Sequence, residues 1–182
     1  MKEEKLERLK KKIQSKIGKE RTWFFNKITV QGFLGTNPVV FLALNPSKGN
    51  VKLSKNRFPT RWDRIFYSLL IKYGLENSHI TDFIKVKMTE KEVKKKLKDE
   101  RFLKRQLNYL LDEIKIIKPK IIVTMGGKCQ NLVEKYSEHF KGYEIFEMVH
   151  YARGAYIGKK KSEKELEKDF IRLKTRLKKL KN

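Results

Sequence analysis

The chain has 182 residues, 39% of them hydrophobic, which suits one ordinary domain with a real core. Lys and Arg outnumber Asp and Glu by 45 to 21, a formal charge of +24, and a field of that sign favours a polyanionic partner, nucleic acid first and an anionic membrane second. The lone cysteine, Cys129, rules out an intramolecular disulfide, a Cys-based zinc site and a Cys-ligated iron–sulfur cluster within one chain, and no apolar run reaches the length of a membrane span.

A thermophile-like surface rich in Lys, Glu and Ile would account for the number of charges but not for their imbalance. A reducing cytoplasm is the expected location. The first twenty residues are charged throughout and lack the apolar stretch of a signal peptide. Leu6, Leu9, Ile13 and Ile17 recur there at helical spacing, so an amphipathic helix is expected over about 1–20, ending near Gly18. Trp23, Phe24 and Phe25 read as core anchors. The uninterrupted apolar run 38–44 predicts a strand buried on both faces of a parallel sheet. Trp62, Ile65, Phe66, Leu69, Leu70 and Tyr73 predict a helix closed by Gly74.

Residues 79–86 read as the next strand. Thr89 with Glu92 fits a capping box, and the helix it opens breaks near 98–100. The pattern resumes through Leu103, Leu107, Leu110, Leu111, Ile114 and Ile117 until Pro119 stops it. Residues 120–125 predict a β-branched strand, turned by Gly126-Gly127 into a helix carrying Leu132 and Val133. Tyr143 to Val149 predict the fourth strand. Ser162 with Glu165 is expected to cap a last helix, about 162–181, whose Leu166, Phe170, Leu173, Leu177 and Leu180 face the core.

Strands alternating with helices predict a single α/β domain spanning 1–182, a three-layer α/β/α sandwich around a four-stranded, mostly parallel sheet. Ligands of such sheets bind at the carboxyl ends of the strands. The residues standing there are Asn45-Pro46-Ser47, the neighbourhood of Asp82, Gly126-Gly127 and His150.

These positions carry a resemblance to the uracil-DNA glycosylase superfamily, over roughly residues 37–158. LALNPS at 42–47 resembles the first motif, in its Asn-Pro form. RFPTRWDRIFYSLL at 57–70 resembles the segment that brings in a base-stacking Phe and then a helix. HITDFIKVK at 79–87 resembles the strand ending in a base-reading Asn. IKPKIIVTMGG at 117–127 resembles the third strand and its Gly turn, and VHYARG at 149–154 the His-containing final motif. Each motif alone is weak, and their order at strand ends is the informative feature.

The resemblance implies a monofunctional glycosylase of base excision repair, which flips a deaminated base out of DNA and hydrolyses its glycosidic bond. It implies no metal or organic cofactor, and DNA, single- or double-stranded, as partner; a monomer is expected. Asn45 would position the attacking water and His150 would donate to the departing base. Leu44, Ser47, Phe58 and Asp82 would bind the base, Phe58 by stacking. Ser47 is small where one branch of the family carries a bulky Tyr that excludes the thymine methyl. Lys48, Lys55, Arg57, Arg61, Lys128, Tyr151 and Arg153 would meet DNA, with Lys52 as a further phosphate contact and Arg153 as the leading candidate for a wedge. His79 and His139 read as strand-edge and surface residues, and three scattered His make a metal site an unfavoured reading.

Plainer readings stand beside these: an ordinary Asn-Pro turn, a structural His150, a core Phe58. Asp82 departs from the family's Asn, because an ionised carboxylate only accepts hydrogen bonds. It could be protonated in an apolar pocket, could read a base edge bearing an amino group, or could cap its own loop. A glycosylase-fold protein that binds nucleic acid without cleaving it is the alternative. A small-molecule enzyme using Gly126-Gly127 for phosphate is a third, which leaves the charge unexplained.

Overall fold

The computed structural model describes residues 1–46, 61–153 and 159–180, and no side chain from 153 to 162. Four strands, β1 (Asn37–Ala43), β2 (Ser78–Asp82), β3 (Ile121–Met125) and β4 (Glu144–Met148), form one sheet in the order β2-β1-β3-β4. Every neighbouring pair is parallel. Parallel strands need crossovers, which place helices on both faces. The helices are α1 (Lys2–Ile17), α2 (Arg61–Lys72), α3 (Glu90–Lys96), α4 (Glu100–Ile117), α5 (Gly127–Lys135) and α6 (Lys159–Lys179). The three-layer α/β/α expectation holds, and the sheet is wholly rather than mostly parallel.

Strand alternation divides the core in two. On one face Phe41, Ile80, Val123 and Met125 pack with Phe66 and Leu70 of α2 and with Leu166, Phe170 and Leu173 of α6. On the other, Leu42 and Ile122 meet Leu103, Leu107, Leu110 and Ile114 of α4 and Leu132 and Val133 of α5. The apolar stripe of α1 completes that layer: Leu6, Leu9 and Ile13 pack with Phe24, Phe33, Val40 and Ile117. The stripe of α6 is therefore core-facing through Leu173, with Leu177 partly buried against the same core, and Leu180 at its end is exposed.

Helix ends follow local chemistry. Gly18 follows α1 at φ 102°, a conformation that favours glycine. Thr89 and Glu92 form the reciprocal box that opens α3, with Glu92 N–H donating to the Thr89 hydroxyl at 3.3 Å and Thr89 N–H to the Glu92 carboxylate at 2.7 Å. Asp99 accepts from Phe102 N–H at 3.0 Å, so the break in the helical pattern is a fresh N-cap.

Three sequence expectations need correction. First, β2 ends at Asp82 rather than running to Val86. The Lys85 side chain turns back onto the Thr81 hydroxyl and the Asp82 carbonyl and closes the backbone into a turn. Second, α6 begins at Lys159, so Ser162 lies inside the helix and does not cap it. The lysines before Ser162 are good helix formers, and they outweigh its capping preference. Third, His79 is fully buried, although β2 is an edge strand. The short turn Gly32–Leu34 covers that edge and sets the Phe33 ring 4.9 Å from the imidazole. Gly35 permits the approach, since a Cβ there would sit 2.1 Å from the Ser78 carbonyl oxygen.

Phe170 is fully buried and stacks on both Phe41 and Tyr73. Phe170→Ala is expected to lower stability by about 3–5 kcal/mol, and Leu180→Ala to change it by less than about 0.5 kcal/mol. Urea unfolding of the two variants checks this.

Candidate active site

Because every strand runs the same way, their carboxyl ends share one edge of the sheet. Backbone pairing continues past the ends of β1 and β2: Phe83 N–H donates to the Ala43 carbonyl at 2.8 Å and Ile84 N–H to the Leu44 carbonyl at 2.9 Å. Leu44 and Asn45 are thereby held alongside the turn that follows Asp82. The Pro46 carbonyl is pinned twice, by Met88 N–H at 3.2 Å and by Asn45 Nδ2 at 3.0 Å.

At the other end of the edge, His150 follows β4. Its backbone entry is fixed from α6, where the buried Asp169 accepts from Val149 N–H at 2.9 Å and pairs with Arg172 at 2.8 Å. Its ring is stacked on Tyr151, centroids 4.8 Å apart, and Tyr151 is stacked on Phe66 at 5.0 Å. The Tyr151 hydroxyl bonds Asp63 of α2. Ala152 N–H donates to His150 Nδ1 at 3.1 Å. A backbone N–H can only donate, so Nδ1 accepts and the neutral ring carries its proton on Nε2. Burial holds the His150 pKa below the ordinary imidazole value, with Asp63 acting weakly the other way.

Asn45 and His150 border the same cavity, of about 410 Å³. Leu44, Met88, Val93, Met125, Gly126-Gly127, Cys129 and Ala152 make up much of the rest of its wall, and Glu90 and Lys128 stand at its charged side. A volume of that order suits a small organic ligand. A hollow of about 500 Å³ lies between Arg21 and α3, but it shares only Met88 with this wall and none of the strand-end residues. Gly126, at φ 86°, lets the wall close, because a Cβ there would stand 3.1 Å from the His150 Cβ. Cys129 is buried, its Sγ 3.3 Å from the Leu42 carbonyl, and burial raises its thiol pKa far above the usual range.

Asp82 is 4% exposed and is not among the described residues that line the cavity. Burial pushes its pKa up to about 7, against the opposing pull of Lys85 and with a further push from Glu113. Its charge is felt at Cys129 in the wall and at Tyr151 behind His150. Lys128 lies in the first turn of α5, half exposed, 3.8 Å from Glu90. Arg61 is exposed at the start of α2. The backbone of Arg153 closes the short turn Tyr151–Arg153. Ser47, Lys48, Lys52, Lys55, Arg57 and Phe58 lie outside the described residues.

Sequence reasoning passed over Lys85, Gln106, Glu113 and Asp63. One signal was available: Gln106 and Glu113 fall on the apolar stripe of α4 between Leu103 and Ile117, and both are buried. A polar residue on a buried stripe requires a partner.

A wholly parallel α/β/α sandwich with a cavity for a small organic ligand at its strand ends defines a class of ligand-handling α/β proteins. The family model of the uracil DNA glycosylase superfamily matches residues 21–174, and the chain belongs to that superfamily. Glycosylase-type chemistry on DNA is the class of function this membership carries. Comparison with curated proteins finds no match. No helix among the described residues is long and apolar enough to cross a membrane.

Gly126→Ala is expected to cost more than about 1 kcal/mol, through both its positive φ and the contact with His150. A displaced His150 imidazole resonance would check that contact. A His pKa lowered by folding means that the unfolded chain binds more protons. His150 should therefore reduce stability as pH falls below about 6.5, the unperturbed imidazole value. His150→Gln should flatten that part of the stability–pH curve, measured by urea unfolding across pH.

Proposed function

We propose that the chain is a monofunctional DNA glycosylase that hydrolyses the glycosidic bond of a deaminated base. One observation carries the reading: Asn45 and His150 border one cavity with complementary hydrogen-bonding roles. Asn45 has its Nδ2 committed to the Pro46 carbonyl, which leaves Oδ1 to accept from a water. His150 has Nδ1 committed to Ala152, which leaves Nε2–H to donate.

Breaking the C1′–N bond sends an electron pair to the base and leaves positive charge on the sugar. Nε2–H of His150 stabilises the base oxygen on which the negative charge collects. Asn45 Oδ1 orients a water whose oxygen bonds to C1′ and whose proton passes to solvent, while the departing base anion takes up a proton in its place. An amide is a weak base, but a dissociative transition state needs orientation more than proton abstraction. The products are a free base and an abasic site. Neutral His150 suits this role, since burial opposes an imidazolium.

Tyr151 has a different role in this reading from the DNA contact expected of it. Stacked between His150 and Phe66, with its hydroxyl on Asp63, it is a positioning residue for the imidazole. Leu44 contributes to the base-binding wall, and Ser47, Phe58 and Asp82 take base-binding roles by resemblance to the family. Lys48, Lys55, Arg57, Arg61, Lys128 and Arg153 supply the phosphate contacts, backed by the +24 charge of the chain. The enzyme acts as one domain and as a monomer, with neither metal nor organic cofactor.

The test is base release from single- and double-stranded oligonucleotides carrying one uracil, hypoxanthine, xanthine or mismatched thymine, read as alkali-labile abasic sites. His150→Ala and Asn45→Ala are each expected to slow release by about 10²–10³-fold. Release by the double variant at the parental rate would refute the assignment. Salt-sensitive DNA binding without release from any substrate would point instead to a nucleic-acid-binding relative.

A further inference from the structure

The hollow of about 500 Å³ beside the candidate site lies on the other face of α3. Glu90 and Val93 of that helix line the cavity, and Glu92, Lys95 and Lys96 line the hollow. Long-range contacts build its frame. Thr22 and Val86 form an antiparallel bridge, and Lys87 N–H donates to the Arg21 carbonyl at 2.8 Å. The segment after α1 is thereby fixed against the segment after β2.

The lining is divided by chemistry. Val86, Met88 and Phe102 are buried and make an apolar floor. Arg21 and Lys95 are exposed and Lys87 is half-buried, which makes a cationic rim. No ion pair among the described residues engages these three cations. The other charges of the wall are already engaged. The Glu92 carboxylate accepts from the Thr89 N–H at 2.7 Å and from its hydroxyl at 2.9 Å. Lys96 pairs with Asp99 at 2.7 Å and lies 5.0 Å from the Phe102 ring centre. Glu20 folds back against Gly18. Three uncommitted cations above an apolar floor complement a ligand that joins anionic groups to an apolar body. A nucleotide has that pattern, and DNA is the polyanion on which the superfamily acts.

We propose that this hollow is a second nucleotide subsite, which seats an unstacked nucleotide of the same DNA strand, beside the one whose base enters the cavity. Arg21, Lys87 and Lys95 hold its phosphates, and Val86, Met88 and Phe102 take its sugar and base. Met88 borders both spaces, so one strand reaches both by crossing it. Entry of a base into the cavity rests on the glycosylase reading; capture of a strand in the hollow does not. A nucleotide seated on the floor has left the base stack, which costs a duplex more than a single strand. The hollow therefore favours single-stranded or locally opened DNA.

The test uses the full-length protein and undamaged DNA: a short single-stranded oligonucleotide of mixed sequence, and the same sequence as a duplex. Arg21→Gln/Lys87→Gln/Lys95→Gln removes the rim. Lys115→Gln/Lys120→Gln/Lys178→Gln removes the same charge far from it. Lys120 and Lys178 stand near the start of β1, and Lys115 lies in the last turn of α4, whose first turn carries Phe102. Thermal melting checks that both variants fold. The rim variant is expected to bind the single strand about tenfold more weakly, and to lose about 1.4 from the slope of log affinity against log salt, the share of the two phosphates that flank one nucleotide. Its affinity for the duplex should fall no further than that of the control variant. Equal losses in the two variants, or equal losses for single strand and duplex, would overturn the proposal and leave the three cations part of a general field.

Methyl NMR locates the strand. Val86 lines the hollow and not the cavity, and its resonances are assigned by their loss in Val86→Ile. The single strand is expected to shift them in the parent and not in the rim variant at the same concentration. Val86 methyls unmoved at saturating oligonucleotide would overturn the subsite. An equal shift by pentaglutamate would overturn it too, and would make the hollow a site for acidic peptides. None of these measurements needs base release, so failure of the glycosylase reading would show separately, in the release assay.

Discussion

Parallel pairing along β1 is the constraint on which the rest of this molecule depends. β1 lies between β2 and β3, and β4 extends the sheet in the same sense. Four chain segments far apart in sequence therefore end at one edge. The same pairing carries past the strand ends, where the Ala43 and Leu44 carbonyls accept from Phe83 and Ile84. The loop holding Asn45 and the turn holding Asp82 are thus fixed relative to one another by backbone hydrogen bonds. A site on such a frame is positioned by the sheet rather than by the loops that decorate it.

Around that edge the protein keeps its chemistry away from its surface charge. The chain is strongly basic, yet His150 is neutral and stacked, and Cys129 and Asp82 are buried. Long-range charge attracts and orients a polyanion, with little sensitivity to which base it carries. Selection and cleavage need short, desolvated contacts. Separating the two keeps long-range charge on the surface and short contacts in the cavity. The stack of Phe66, Tyr151 and His150 links them mechanically, since it ties the imidazole to α2 and, through Asp169, the segment before it to α6.

The buried ions beneath β2 give the site a second layer. A lysine and a glutamate without water are retained only where each satisfies the other and further hydrogen bonds complete the shell. Thr81 and the Asp82 carbonyl accept from the ammonium, His79 meets the carboxylate, and Gln106 accepts from the Lys85 backbone N–H. The arrangement ties the Asp82 turn to α4, a helix that lends no described residue to the cavity wall.

Much of this was legible in the residues alone. Uninterrupted β-branched runs specify strands buried on both faces, because a strand covered on both faces can expose no polar alternation. Asn45-Pro46, Gly126-Gly127 and His150 could be placed at strand ends because breakers and polar residues stop apolar runs abruptly. Capping chemistry at Thr89 and Asp99 is local, so it too reads directly from the chain. Tertiary structure decided what local pattern cannot carry. His79 is buried because the Gly32–Leu34 turn, distant in sequence, covers the edge on which it sits. Lys85 ends β2 because Glu113 and Gln106 reach it from α4, and no period within residues 79–86 encodes a partner so far along the chain. The tautomer of His150 follows from one backbone N–H at Ala152, a geometric fact that composition does not contain. Sequence determined which residues stand at the strand ends; burial and long-range contact determined the charge and orientation that each of them shows.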